Sequence, residues 1–266
     1  MMPKIKATVE ILAYNNEATI EKTLASVADF DEILVIDGGS TDRTREIASR
    51  FGATILGQDA RGKRDGQIAD FSLIRNQGLI AAKHDWFLFV DSDEYFTPAM
   101  VREIDSIVSS NTPSHYVWKV PRRYIIDGKI IDRATTYPNT QPRFFHRGRV
   151  EKFIKPIHER IQPKSGERIG TLKNAMIVPL APVSELRRKW ARYLSLERSR
   201  LSGVSRREII RKIFETLKTA AIYALRLIPV MLASGVRMPL RYEFLRQEYN
   251  ARLASLLLGK LFTWKR

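Results

Sequence analysis

At 266 residues the chain is long enough to bury one generous α/β core with an appendage, or two small cores, so size leaves an enzyme open. Apolar residues make up 44% and charged residues 28%, which excludes wholesale disorder, and the absence of cysteine excludes disulfides, thiolate metal sites and a thiol nucleophile. The net charge of +16 is unevenly spread: from Val183 onward 19 Lys or Arg face 6 Asp or Glu, a balance of +13, leaving only +3 for residues 1 to 182.

The first hundred residues alternate strand and helix patterns, which predicts a parallel sheet covered by helices. Residues 5 to 13 read as a strand, and in 17 to 28 Ile20, Leu24 and Val27 share one helical face. EILVID (32 to 37) is a short apolar run of the buried parallel type, broken by Gly38 and Gly39. Ser40, Thr41 or Asp42 then caps a helix to Phe51, and a third strand follows at 53 to 56. Residues 57 to 70 have no periodicity and many turn formers, so they read as a mobile loop able to close over a ligand through Arg61, Lys63 and Arg64. A helix from Phe71 to Lys83 leads into the central strand WFLFV (86 to 90), which ends in Asp91, Ser92, Asp93 and Glu94. Thr97 and Pro98 suit the cap and first position of a helix to about Ser109.

From Tyr116 to about Val178 the strands are shorter, with a hairpin signal at Asp127-Gly128, and read as an antiparallel addition to the sheet. Beyond Pro182 the pattern is helical, at 184 to 202 and 205 to about 228. There Ser205 and Glu208 form a capping box, and Ile209, Ile210, Ile213, Phe214, Leu217, Ala221, Ala224 and Ile228 make one apolar stripe. The most apolar stretch, 219 to 234, holds Arg226 and Pro229 and is shorter than the ~20 residues a membrane span needs. A basic amphipathic helix lying among lipid headgroups fits these residues better, with packing on the protein's own core as the alternative.

Asp91-Ser92-Asp93 closes an apolar strand, and in open α/β sheets ligands bind beyond the carboxyl ends of strands. Two carboxylates so close repel unless they share a cation. A hard divalent ion, Mn²⁺ or Mg²⁺, suits oxygen ligands and bridges to diphosphate, although an acidic helix-capping turn would give the same triplet. YNNEATIEKTLASV (14 to 27), DEILVIDGGSTDRTREIASRFGA (31 to 53), Arg75-Asn76 and DWFLFVDSDE (85 to 94) stand in the order and spacing of family 2 glycosyltransferases. The chain resembles that family strongly over residues 5 to 110 and more faintly to about 180, and within it the subgroup that builds lipopolysaccharide core and related surface glycans.

The resemblance implies an α/β fold of the GT-A type, a mixed Rossmann-like sheet with helices on both faces, and a nucleotide-diphosphate sugar as donor. Position by position it implies that Tyr14, Asn16 and Glu17 line the nucleotide pocket, that Asp37 bonds the base, commonly uracil, and that Arg75 approaches the donor phosphates or sugar. Asp91 and Asp93 become the metal motif, Asp93 holding the ion directly. RFFHRGRVEKFIKPIHERI (143 to 161) resembles the subgroup's strand followed by a His-Glu pair. Glu159 is then the base for an inverting transfer, His158 orients it or meets the diphosphate, and Arg143 and Arg147 offset charge on the leaving nucleotide. Many relatives carry a histidine soon after this strand, where this chain reads IVPLAP at 177 to 182.

The expected organisation is a catalytic domain over 1–182, with a nucleotide-sugar half to 110 and an acceptor half over 111–182, then a basic helical region over 183–266. The amino terminus lacks a secretory signal, which predicts a cytoplasmic chain, peripheral on the membrane through its basic end. The expected reaction is hexosyl or related transfer to a lipid-linked or lipopolysaccharide-type glycan, with transfer to polyprenyl phosphate as the runner-up; a homo-oligomer stays open. A nucleic-acid-binding protein is the competing class suggested by a pI of about 10.1, but no docking motif or aromatic-lined basic groove accompanies the charge. A non-catalytic scaffold that binds nucleotide sugar would not need both aspartates and the His-Glu pair.

Overall fold

The computed structural model describes residues 3–64, 67–157, 159–201 and 203–262. They divide into two compact units, Met1–Arg123 with Pro138–Pro179, and Tyr124–Tyr137 with Leu180–Arg266. In chain order the first unit opens with β1 (Ile5–Ala13), α1 (Ile20–Ser26), β2 (Phe30–Asp37), α2 (Thr44–Arg50) and β3 (Thr54–Gly57). A small ladder of β4 (Lys63–Arg64) and β5 (Gln67–Ile68) precedes α3 (Phe71–Ala81), β6 (Trp86–Asp91), β7 (Tyr95–Phe96) and α4 (Pro98–Val108). β8 (Val117–Ile126) runs on into the second unit, where β9 (Lys129–Ile130) lies. The first unit resumes with β10 (Thr140–His146), β11 (Val150–Ile154), β12 (Arg160–Pro163), β13 (Ile169–Thr171) and β14 (Met176–Pro179).

The sheet order β3-β2-β1-β6-β10-β8 follows from which strands are apolar on both faces. β1, β2 and β6 are almost wholly buried, so they take the centre and run parallel. Their register sets Ala13 beside Asp37 and Leu12 beside Asp91, so three strands end together at one edge of the sheet. β10 comes back antiparallel to β6, Phe144 opposite Leu88, and its register against β8 shifts between Pro142 and Phe144. Arg143 sits at that irregularity, a device that re-aims a side chain. Behind it Phe87 packs on Phe145 and Phe153, with ring centroids 5.4 and 6.4 Å away.

The expected strands and helices of the first hundred residues form within a few positions of their predicted bounds, and Thr97 caps α4 by accepting from Met100 N at 3.2 Å. α2 starts later than its polar run suggested, at Thr44, because Ser40 is used elsewhere and Asp42 Oδ1 takes the Thr44 N–H at 2.9 Å. Residues 57 to 70, aperiodic in sequence, carry a 3₁₀ turn at Ala60–Gly62 and the β4–β5 ladder. Lys63 Nζ donates to Gly38 O at 2.6 Å, a tether invisible to periodicity.

In the second unit Asp127 and Gly128 both have positive φ, 49° and 75°, the primed turn their sequence demanded, joining β8 to β9. Three helices follow, α5 (Val183–Arg200), α6 (Arg206–Leu232) and α7 (Leu240–Phe262). α6 begins where expected, with Ser205 accepting from Glu208 N, but runs on through Pro229. Pro229 has no N–H to offer the Leu225 carbonyl, and just beyond it, where the helix ends, Arg133 donates to the carbonyls of Val230 and Gly235 at 2.7 and 2.5 Å. α7 was not resolved by the sequence as an element of its own. Its Glu243, buried, accepts from Thr135 N at 2.9 Å and from the Thr135 hydroxyl.

Phe145→Ala empties a fully buried aromatic site and is expected to destabilise the chain by about 3–5 kcal/mol. Ile80→Ala, on an exposed position of α3, is expected to cost under about 0.5 kcal/mol. Urea denaturation of both variants checks the contrast.

Candidate active site

At the shared edge of β1, β2 and β6, backbone donors and short polar side chains lace two loops together. Asn15 takes the left-handed conformation (φ 51°), which lets its N–H reach Ser40 Oγ at 2.9 Å while its Oδ1 accepts from Thr41 N at 2.8 Å. Asn16 N donates to Thr44 Oγ1 at 2.7 Å, and its Oδ1 takes the Tyr14 N–H at 2.8 Å. Glu17 accepts from Arg43 N at 3.1 Å and donates its own N–H to Asp42. Asp37 is buried, and its carboxylate receives Gly39 N, Ser40 N and the Ser40 hydroxyl. The Tyr14 ring is 56% exposed and lies over Gly38, where an added Cβ would stand 3.0 Å from it. The result is a floor of fixed turns under one exposed aromatic ring.

Beside this floor lies a chain of ion pairs built on two buried arginines. Arg75, 1% exposed, projects from α3 and donates to Glu10 Oε2 at 2.9 Å and to Asp91 Oδ1 at 2.8 Å, with Glu159 Oε1 3.5 Å from its Nε. Arg143 donates to Asp91 Oδ2 at 3.0 Å and to Glu94 Oε2 at 2.5 Å, and Arg122 takes the other Glu94 oxygen. The Phe89 ring lies under both guanidiniums, 4.6 Å from that of Arg75 and 5.1 Å from that of Arg143. An open cleft of about 710 Å³ lies over this cluster, lined by Phe89, Asp91, Arg122, Arg143 and Glu159 among others.

The charges follow from the packing. Burial pushes the Glu10 carboxyl up to about 7, against the pull of Arg75. Burial would also raise Asp91, but Arg143 first and Arg75 second outweigh it and hold Asp91 well below the usual carboxylate range. Burial works against the Arg143 charge as well, and Asp91 and Glu94 more than restore it. Asp91 therefore stays ionised with both oxygens already accepting bonds, while Asp93, two residues on, is exposed.

Of the residues singled out in the sequence, Asp91, Arg143, Arg75 and Glu159 come together here, and Tyr14, Asn16, Glu17 and Asp37 gather at the neighbouring strand ends. Arg75 is buried among carboxylates, so it meets the site through Asp91 and Glu159. Arg147 caps α3, donating to Leu79 O and Ala82 O at 3.1 and 2.9 Å. His158 lies outside the described residues. The sequence did not point to Glu10, Arg122 or Phe89. The signal for Glu10 was a carboxylate inside the apolar strand TVEILA, a position that demands a buried partner.

Among the described residues no group of three His, Asp or Glu side chains is arranged to hold a cation unaided. An exposed Asp93 beside an ionised Asp91 fits an ion of the Mg²⁺ or Mn²⁺ kind, which takes one or two carboxylates and completes its shell with substrate phosphates.

Residues 8–168 match the model of the family described as glycosyl transferase family 2. A TPR repeat-containing protein of Synechococcus elongatus is 33% identical over 143 residues, covering 53% of this chain and 32% of that protein. An uncharacterized glycosyltransferase of Rickettsia bellii is 31% identical over 141 residues, covering 53% of this chain and 42% of that one. The chain thus spans less than half the length of these relatives. Among solved structures, TarS 1-349 of S. aureus in complex with UDP-GlcNAc is 16% identical at a TM-score of 0.47, covering 98% of this chain and 74% of that one. Glucosyl-3-phosphoglycerate synthase of Mycobacterium tuberculosis, in complex with Mn²⁺, UDP and glucosyl-3-phosphoglycerate, is 18% identical at a TM-score of 0.45, covering 68% of this chain and 74% of that one.

Glu10 has a folded pKa above its unfolded value of 4.5, so its contribution to stability is fully present below pH 4.5 and is lost as pH rises through about 7. The stability of the protein relative to Glu10→Gln is expected to fall across that window and to level off above it, as read by urea titrations at several pH values. Gly78→Ala would bring a Cβ 2.0 Å from Glu10 Oε1 and is expected to destabilise the fold by more than about 2 kcal/mol in the same titrations.

Proposed function

The chain belongs to glycosyl transferase family 2, a transferase with the GT-A architecture, and on that premise we propose that it moves a sugar from a nucleotide-diphosphate donor to a lipid-linked or lipopolysaccharide-type glycan with inversion at the anomeric carbon. The observation that carries the reading is one guanidinium, that of Arg75, tied to the strand-end carboxylate Asp91 and to Glu159 across an open cleft.

In this reading Tyr14, Asn16, Glu17 and Asp37 receive the nucleoside, with the exposed Tyr14 ring as the stacking surface. Asp93 and Asp91 hold a divalent ion, which when bound supplies positive charge to the diphosphate. Glu159 takes the proton of the acceptor hydroxyl as its oxygen bonds to the anomeric carbon and the bond from that carbon to the diphosphate breaks. Arg143 and Arg75 act by positioning, keeping Asp91 ionised and fixed. His158, the neighbour of Glu159 in sequence, is in this reading the residue that orients the base or meets the diphosphate. The basic region from Val183 onward holds the enzyme to an anionic membrane surface, on the cytoplasmic face where a lipid-linked acceptor is presented. Among the described residues no helix is long and apolar enough to cross a membrane, which suits attachment from one side.

A panel of nucleotide sugars with Mn²⁺ present, scored for nucleotide release, tests the chemistry. Glu159→Gln is expected to lower kcat by about 10²–10⁴-fold with donor affinity kept. Asp93→Ala is expected to raise the Mn²⁺ concentration needed for half-maximal release. Wild-type turnover in Glu159→Gln would remove Glu159 as the base, and an unchanged Mn²⁺ response in Asp93→Ala would remove the metal assignment.

A further inference from the structure

The apolar stripe of α6 is wider than one partner surface. Its inward side is already used: Ile209 and Val230 are buried, Ile209 packs with Leu257 of α7, and Gln247 of α7 donates to Ala220 O at 3.1 Å. A second line remains uncovered on the other side, with Ile210, Phe214, Leu217, Leu225, Ile228 and Leu232 each half or more exposed. Their spacing of three, four or seven to eight residues keeps them on one face, and the line from Ile210 to Leu232 is about 33 Å long. Large apolar side chains scattered singly on a surface need no explanation, but a continuous row of this length marks a place of contact.

Charge identifies the occupant. Arg206, Arg207, Arg211 and Lys218, all exposed, sit at the amino-terminal half of the same helix, and no acidic residue stands in the exposed row. A second copy of the chain laid on this face would bring a like-charged helix end to the contact unless the helices ran antiparallel. An anionic lipid surface meets both features at once, apolar side chains entering the acyl boundary and the cations facing phosphate headgroups. α6 does not qualify as a span, so the helix lies in the plane of the interface.

We propose that the outward face of α6, centred on Phe214, Leu225 and Ile228, is an in-plane docking surface for anionic lipid, while its inward face is the structural seam to α7. The proposal deepens the membrane part of the function given above and uses no step of the transfer chemistry.

The full chain is floated with vesicles of phosphatidylcholine alone and with about 30 mol % phosphatidylglycerol. Binding is expected to the anionic vesicles, to fall with added salt, and to drop at least about tenfold on pure phosphatidylcholine. The triple variant Phe214→Gln, Leu225→Gln, Ile228→Gln removes apolar area at exposed positions and is expected to lose binding at least about tenfold with its far-UV circular dichroism unchanged. Arg207→Gln with Arg211→Gln and Lys218→Gln, which alters no apolar contact, is expected to weaken binding to anionic vesicles alone. Equal flotation of wild type and the apolar variant, or no flotation of the wild type, would overturn the proposal. A wild-type dimer in sedimentation equilibrium that the apolar variant abolishes would overturn it too, by making a second copy the occupant. Nucleotide release without vesicles, expected to be the same in wild type and variants, separates the two ideas: a protein that floats but releases no nucleotide refutes the transferase chemistry and leaves the surface standing.

Discussion

A single buried guanidinium organises the catalytic unit. Taking Arg75 out of water costs several kcal/mol, and that cost is offset only where carboxylates in good geometry receive its donors. Glu10 from β1, Asp91 from the end of β6 and Glu159 from the segment after β11 meet that demand. Three regions far apart in sequence are therefore held in register by one side chain. Gly78, a turn along α3 from Arg75, leaves the space that Glu10 fills, and Phe89 gives both guanidiniums a flat face to lie on. Loss of any carboxylate would leave charge uncompensated in a buried place, which is why such clusters tolerate little change.

The same network sets the chemistry available at the sheet edge. Asp91 would be a poor anion in so crowded a site without Arg143 and Arg75, yet both its oxygens are committed to them. Asp93 lies exposed on the same turn. The division is physical: a half-exposed carboxylate is fixed in position and potential by two guanidiniums, and the carboxylate two residues on meets solvent.

The parts of the fold that could be read directly from the chain were those governed by local pattern. EILVID and WFLFV announce central parallel strands, Asp127-Gly128 a primed turn, and Thr97-Pro98 a helix start, because each depends on neighbours a few residues away. What stayed hidden depends on distant partners. Glu10 reads as an oddity in a strand until Arg75, 65 positions on, explains it. α7 was obscured because Arg246, Glu248 and Arg252 interrupt its apolar positions, while Glu243, which looks like a surface residue, is buried against Thr135. The stripe on α6 was visible, but one list of apolar positions cannot say that they divide into two faces with different partners.

Charge divides unevenly along the chain. Residues 1 to 182 carry only +3, so the field at the cleft is set by groups within a Debye length of about 8 Å, chiefly the paired arginines and carboxylates around Asp91. The +13 of the remainder is borne mostly by exposed side chains. Had that charge been spread over the catalytic unit, every anion in solution would compete for the cleft and the balance that keeps Glu10 and Asp91 in their places would be disturbed. Placed mostly on α5 to α7, it suits the anionic surface proposed above, where many weak attractions of about 1 kcal/mol each add up.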